Sequence, residues 1–209
     1  MKIYTYQLGE LQTNCYVLVD EVSKNAVAID IGGDADFLLE EEKKRGFFVK
    51  TVLLTHGHFD HIGGVYKFYE RGADVYIGKN DSAKIKDGSL NLSSVFGEKC
   101  QPFLVKTELI GGEIIPFETE SIEVISTPGH TEGGITYKIK NALFCGDTLF
   151  EGGFGRTDFP GGDVIELCKS AKKLLSFDGC KLYPGHGNET SVQKELLNNP
   201  INSYIKYYL

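Results

Sequence analysis

All five histidines of this chain stand where an apolar run gives way to a glycine-containing turn. Thr55-His56-Gly57-His58-Phe59-Asp60-His61 follows the run Val49 to Leu54. His130 closes Pro128-Gly129-His130, His186 closes Pro184-Gly185-His186, and Asp147 follows Gly146 at the end of Ala142-Leu143-Phe144-Cys145. A chain that puts every imidazole at the same kind of address is expected to present side chains from strand ends. In α/β architectures, ligands gather beyond the carboxyl ends of strands.

The sequence has 209 residues, enough for one substantial core, and no linker-like stretch interrupts it, so a single domain over residues 1–209 is expected. A net charge of -7, with Lys interleaved among Asp and Glu, argues against a nucleic-acid partner, which selects a basic face. Five cysteines without CxxC spacing fit reduced thiols in a cytoplasmic protein rather than a disulfide framework. The N-terminus, Met1 to Tyr6, lacks an apolar signal region, and no apolar run approaches the roughly 20 residues of a membrane span. A soluble, unexported protein without a membrane partner is therefore expected. The sequence does not specify an oligomeric state.

Glycine doublets punctuate the chain. Tyr16 to Val19 and Ala26 to Ile29 read as a hairpin, Phe37 to Arg45 as a helix, Val49 to Leu54 as a buried strand and Asp74 to Ile77 as another. His61 is read as opening a helix in which Ile62, Val65, Tyr66 and Tyr69 share a face. A second sheet is expected from Glu113 to Phe117, Ser121 to Ser126, Gly134 to Lys140 and Ala142 to Cys145. Asp163 can cap a helix with an apolar stripe from Val164 to Leu175. Thr190 and Gln193 suggest a capping box for a last helix stopped by Pro200, with the aromatic tail 201–209 packing back. Two sheets with helices outside both would form a four-layer αβ/βα sandwich of the α/β class.

Side chains two apart in an extended segment point to the same side, so His56 and His58 can grip one ion, while Asp60 and His61 are displaced toward a second. The reading assigns His56, His58 and His130 to one metal, Asp60, His61 and His186 to another, and Asp147 to a bridging position. Taken singly, His130 or His186 is as consistent with an ordinary core or surface histidine, and Asp147 with a turn residue. Burying three imidazoles beside a carboxylate without a metal would be electrostatically awkward. Two ions about 3.5–4 Å apart can hold a bridging hydroxide and polarise a carbonyl, which makes hydrolysis the expected chemistry. A thioester suits such a site because its thiolate leaves without a dedicated acid, and Asp60 can orient the hydroxide. Zinc, iron and manganese are all compatible with these donors, zinc being the first expectation. Asp30, at a strand end before Gly32-Gly33, is read as a hydrogen-bonding support rather than a ligand.

In order, Thr-His-Gly-His-Phe-Asp-His at 55–61, Thr-Pro-Gly-His-Thr at 127–131, Gly-Asp-Thr-Leu-Phe at 146–150 and Tyr-Pro-Gly-His-Gly at 183–187 resemble the metallo-β-lactamase-fold superfamily. The resemblance is specifically to its glyoxalase-II-like (hydroxyacylglutathione hydrolase-like) members. It implies the αβ/βα sandwich, a dinuclear site with the ligand split above, and a small thioester substrate such as S-lactoylglutathione or an analogue on another thiol. Longer glyoxalase II enzymes carry a C-terminal helical region with basic residues for glutathione, which this sequence lacks, so a short form is implied. In Gly155-Arg156-Thr157-Asp158-Phe159, Arg156 matches a basic residue that contacts the thiol carrier in that family. A salt bridge from Arg156 to Asp158 or Asp163 is the alternative role. The same segment is similar to one in persulfide dioxygenases, which implies the rival reading of a single iron held by His56, His130 and Asp147. A non-catalytic metal-binding module is the third reading, since a fold does not prove turnover.

Overall fold

The computed structural model describes residues 1–209, which divide into two compact units, Met1–Leu109 and Ile110–Leu209. The first unit carries a six-stranded sheet in sequential order: β1 (Lys2–Leu8), β2 (Thr13–Val19), β3 (Asn25–Ile29), β4 (Phe48–Leu53), β5 (Asp74–Gly78) and β6 (Thr107–Leu109). Strands β1 to β3 form an antiparallel meander, and β3 to β6 run parallel. All seven residues of β2 are buried, as befits a strand covered on both faces. Between them lie α1 (Ala35–Arg45), α2 (Phe59–Ile62), α3 (Val65–Glu70), a 3-10 segment Lys79–Ile85 and α4 (Ser93–Phe96).

The helix expected to open at His61 begins instead at Phe59 and is broken into α2 and α3 at Gly63-Gly64. The cause is close backbone packing. A Cβ on Gly63 would lie 2.5 Å from the Gly32 carbonyl oxygen, and one on Gly64 would lie 2.7 Å from Ile31 Cγ2. The Gly64 N–H donates to the Ile31 carbonyl at 2.8 Å, which stitches this corner to the loop after β3.

The second unit carries β7 (Ile114–Phe117), β8 (Glu120–Ser126), β9 (Ile135–Ile139), β10 (Ala142–Gly146), β13 (Lys181–Pro184) and β14 (Thr190–Ser191) in the order β14-β13-β10-β9-β8-β7, with a separate hairpin of β11 (Leu149–Phe150) and β12 (Gly153–Phe154). Strand β10 is antiparallel to β9 and parallel to β13, and β8 is antiparallel to β9, so β8, β10 and β13 all run the same way. Its helices are α5 (Val164–Leu174), α6 (Val192–Asn198) and α7 (Ile201–Tyr208). Asp163 caps α5 as expected, its carboxylate accepting from the N–H groups of Ile165 and Glu166. The cap of α6 is one residue later than expected: Ser191 Oγ accepts from Lys194 N–H, because Thr190 is paired in β14 and donates its hydroxyl to buried Glu195 at 2.6 Å. The aromatic tail is itself a helix. Pro200 starts it, buried Ile201 anchors it, and Tyr204 meets Phe154 edge-on at 5.1 Å.

None of the five cysteines forms a disulfide, and all but the half-buried Cys100 are buried. No helix is long and apolar enough to cross a membrane.

Candidate metal centre

Parallel pairing sets the first half of the site. Ile29 at the end of β3 stands opposite Leu53 at the end of β4, so Asp30 and the histidine loop emerge side by side. Asp30 is buried, and its carboxylate accepts from Thr55 N–H at 2.8 Å, Thr55 Oγ1 at 2.7 Å and His61 Nδ1 at 2.8 Å. Since the Thr55 hydroxyl gives its proton to Asp30, its oxygen accepts from His56 Nδ1 at 3.2 Å. One carboxylate thus fixes the tautomer of two imidazoles, leaving Nε2 of His56 and His61 as the donor atom toward a cation.

His56, His58 and His61 are buried, and their rings cluster without parallel stacking. The His56 centroid is 4.7 Å from that of His58 at 89° and 4.0 Å from that of His61 at 51°. Candidate donor atoms of His56 approach those of His58 and of His61 within 4.8 Å, and His61 Nε2 stands 3.5 Å from Asp60 Oδ2. Thr13 Oγ1 donates to that same Asp60 oxygen at 3.0 Å.

Gly57, between the first two histidines, is held to glycine by packing from below. A Cβ on Gly57 would lie 2.8 Å from Lys84 Cβ, so the 3-10 segment beneath the loop excludes it. Gly57 N–H donates to buried Asp81 at 2.8 Å, and Asp81 also accepts from buried Lys84 at 2.8 Å. Sequence reasoning missed this pair. Two charged residues at i and i+3 look like an ordinary solvated face until the loop is laid over them.

The second half follows from the common direction of β8, β10 and β13. His130 lies beyond the end of β8, Asp147 directly after β10 and His186 just after β13, and Gly185 N–H donates to the Gly146 carbonyl at 2.9 Å. Asp147 Oδ2 is 3.6 Å from His130 Nε2 and 3.6 Å from His186 Nε2. These separations exceed hydrogen-bond length. They suit donors on a shared ion, since metal–N and metal–O bonds of about 2.1 Å at a tetrahedral angle place donor atoms about 3.4 Å apart.

His130 Nδ1 donates to the Arg156 carbonyl at 2.7 Å, which again turns Nε2 outward. A Cβ on Gly155 would fall 1.8 Å from the Asp147 carbonyl oxygen, so that residue must be glycine for the loop to close. Gly129 carries a left-handed φ of 136°, and its Cβ would stand 2.3 Å from the Leu167 backbone. Gly185 has no such φ; its contribution is the hydrogen bond to Gly146. The Arg156 side chain forms a two-pronged pair with Asp158 at 2.6 Å for both bonds and lies over the Phe159 ring at 4.0 Å. The guanidinium holds the Asp158 carboxyl down at about 2.

Each half therefore carries histidine nitrogens and a carboxylate at ligand spacing, with Nδ1 of three imidazoles held from behind, and this donor set fits divalent cations.

Residues 8–186 match the metallo-beta-lactamase superfamily. The chain is 36% identical over 208 residues to hydroxyacylglutathione hydrolase GloC of Haemophilus influenzae, covering 96% of this chain and 97% of that protein. Among solved structures, BLEG-1 B3 metallo-beta-lactamase is similar with a TM-score of 0.87 and 34% identity, covering 98% of this chain and 99% of the other. TTHA1623 in a di-iron-bound form is similar with a TM-score of 0.86 and 32% identity, covering 94% and 98%. The fold class read from the sequence and the family resemblance both hold, and the chain belongs to the metallo-β-lactamase superfamily as a metal-dependent hydrolase of α/β fold.

Proposed function

We propose that residues 1–209 act as one metallo-β-lactamase-like domain that hydrolyses thioesters of small thiols in the cytoplasm. In this reading His56, His58 and His130 hold one divalent ion, Asp60, His61 and His186 hold a second, and Asp147 serves both. The observation that carries it is the Asp147 carboxylate, whose one oxygen stands 3.6 Å from each of two histidine nitrogens. The likeness to a hydroxyacylglutathione hydrolase at 36% identity supports the thioester class. Zinc is the proposed metal, and the similarity to a di-iron-bound structure makes iron the alternative to be measured.

Bound divalent ions supply Lewis acidity, polarising a carbonyl and making water a nucleophile at neutral pH. The chain's own residues do the rest. Asp30, through His61 and Thr55, keeps imidazole Nε2 lone pairs available; the Arg156 carbonyl does so for His130. Thr13 fixes the Asp60 carboxylate, which can then accept a proton from the attacking water. Addition of that water to the thioester carbon and loss of the C–S bond release a carboxylic acid and a thiolate. With a thiol pKa of about 8.5, the leaving group needs no separate acid. We assign Arg156 a contact with the substrate on condition that it parts from Asp158.

The test is elemental analysis of freshly purified protein, with S-lactoylglutathione hydrolysis and glutathione-persulfide oxygen uptake measured on the same sample. Two ions per chain with thioester cleavage supports the proposal. One iron with oxygen uptake replaces it with the dioxygenase reading, and a loaded protein inert toward thioesters of glutathione and of neutral and cationic small thiols alike replaces it with a binding module. The likeness to a B3 metallo-beta-lactamase favours one further reading, so a β-lactam belongs in the panel.

A further inference from the structure

Beside Asp60, wholly within the first unit, lies a cavity of about 340 Å³, within the size range of small-molecule sites. Gly9, Gly32, Gly33 and Gly63 line it with main chain alone, and Gly32 and Gly33 are held to glycine by packing, since a Cβ would fall 1.8 Å from the Asp60 carbonyl oxygen and 2.9 Å from Gly9 Cα. The walls are apolar: Leu11 and the rings of Phe59 and Phe96, whose centroids are 5.0 Å apart. Apart from Asp60, the charged lining consists of Glu10, Asp34 and Glu98 against the one basic group of Lys99.

A concave surface lined mainly by one sign of charge focuses its field inward, and at the rim away from the cations that Asp60 would help hold, the excess charge is negative. The half-buried Cys100 thiol lies in the cavity wall, next in the lining to Glu98 and Lys99.

We propose that this cavity receives the thiol-carrier part of the substrate and selects carriers with an apolar body and a neutral or positive end over anionic ones. The inference rests on the thioesterase reading and narrows it. Glutathione, with two carboxylates and one ammonium, is disfavoured by the same rim.

The experiment uses the metal-loaded full chain and three thioesters of one acyl group: S-lactoylthiocholine, the neutral N-acetylcysteamine ester and the anionic 3-mercaptopropionate ester. The expected kcat/KM for the first two exceeds that for the anion by about tenfold at low salt, and the gap shrinks in high salt. In the double variant Glu10→Gln/Glu98→Gln, which leaves Asp34 and Lys99 to balance, the ratio of neutral to anionic kcat/KM should fall severalfold. An anionic ester turned over as well as the neutral one, or a ratio untouched by the double variant, overturns the inference while leaving the thioesterase reading in place.

A second readout does not need turnover. The non-hydrolysable thiocholine thioether should slow alkylation of Cys100 by iodoacetamide at pH 9, and the mercaptopropionate thioether should not. Protection without hydrolysis of any ester keeps the cavity's selectivity and sinks the thioesterase reading. Equal protection by both thioethers, or by neither, sinks the selectivity.

Discussion

Replacing Asp30 by Asn separates the support of the histidines from the mere packing of the loop. The carboxylate is 2% exposed and accepts three hydrogen bonds, from Thr55 N–H, Thr55 Oγ1 and His61 Nδ1, at 2.8, 2.7 and 2.8 Å. An amide of the same size keeps one acceptor for the Thr55 N–H but turns an NH2 group toward the hydroxyl and the imidazole. His61 can accept from it only by moving its proton to Nε2, the nitrogen that stands 3.5 Å from Asp60 Oδ2. The Thr55 hydroxyl, turned round, no longer serves His56 Nδ1 as it does now at 3.2 Å. Two charge-assisted bonds become neutral or are lost, at about 1–2 kcal/mol each, so the metal-free protein should lose about 2–4 kcal/mol of folding stability. The tautomer change should also lower zinc affinity by about 10–100-fold. Urea unfolding of the metal-free chain gives the first quantity, and competition with a chromophoric chelator gives the second. A variant that loses stability yet binds zinc within twofold of the parent would show that Asp30 only packs the loop, and the tautomer argument would be wrong.

Other perturbations test other parts of the structure. His58→Ala and Asp147→Asn should each lower bound metal and reduce kcat by at least about a hundredfold, and normal turnover in either counts against a two-ion centre. Gly129→Ala sets a side chain at a φ of 136° and 2.3 Å from the Leu167 backbone, so a loss of about 3 kcal/mol or more is expected in urea unfolding. Asp81→Ala should cost about 3–5 kcal/mol by stranding the buried Lys84 ammonium, and should weaken metal binding by freeing Gly57; stability close to the parent would refute it. The Cys15 thiol, fully buried in β2, is pushed well up by burial and by Asp30. With the folded pKa above the unfolded value of about 8.5, its stabilising contribution is complete below that pH and is lost as pH rises, by up to about 1.4 kcal/mol per unit. The stability gap between the parent and Cys15→Ala should therefore narrow from pH 8 to pH 10, and parallel curves would disprove the assignment.

The hairpin β2–β3, strand β4, the second sheet and the Asp163 cap were legible because each rests on short-range signals: alternation, apolar runs, a capping residue before a stripe. The misreadings have a common origin. The helix that opens at Phe59 breaks at Gly63-Gly64 because the loop after β3 presses against it, and no local pattern encodes that approach. Thr190 cannot cap α6 because Glu195 and β13 claim it first, whereas the tail does pack back as read, seated on buried Ile201.

By itself the sequence determined which atoms can bind metal. Three imidazoles and an acid within 56–61, with further histidines and an aspartate after glycine turns, are a chemical inventory that survives any uncertainty about the fold. Tertiary structure decided how those atoms are held: Asp30 beneath two imidazoles, Asp81 beneath Gly57, the Arg156 carbonyl behind His130, and a cavity beside Asp60. The physical reason is range. A residue's donor chemistry is intrinsic to it. Its tautomer, its orientation and the field around it are set by neighbours brought close through strand pairing and loop packing, and in Asp30 and His61 those neighbours are 31 positions apart in sequence.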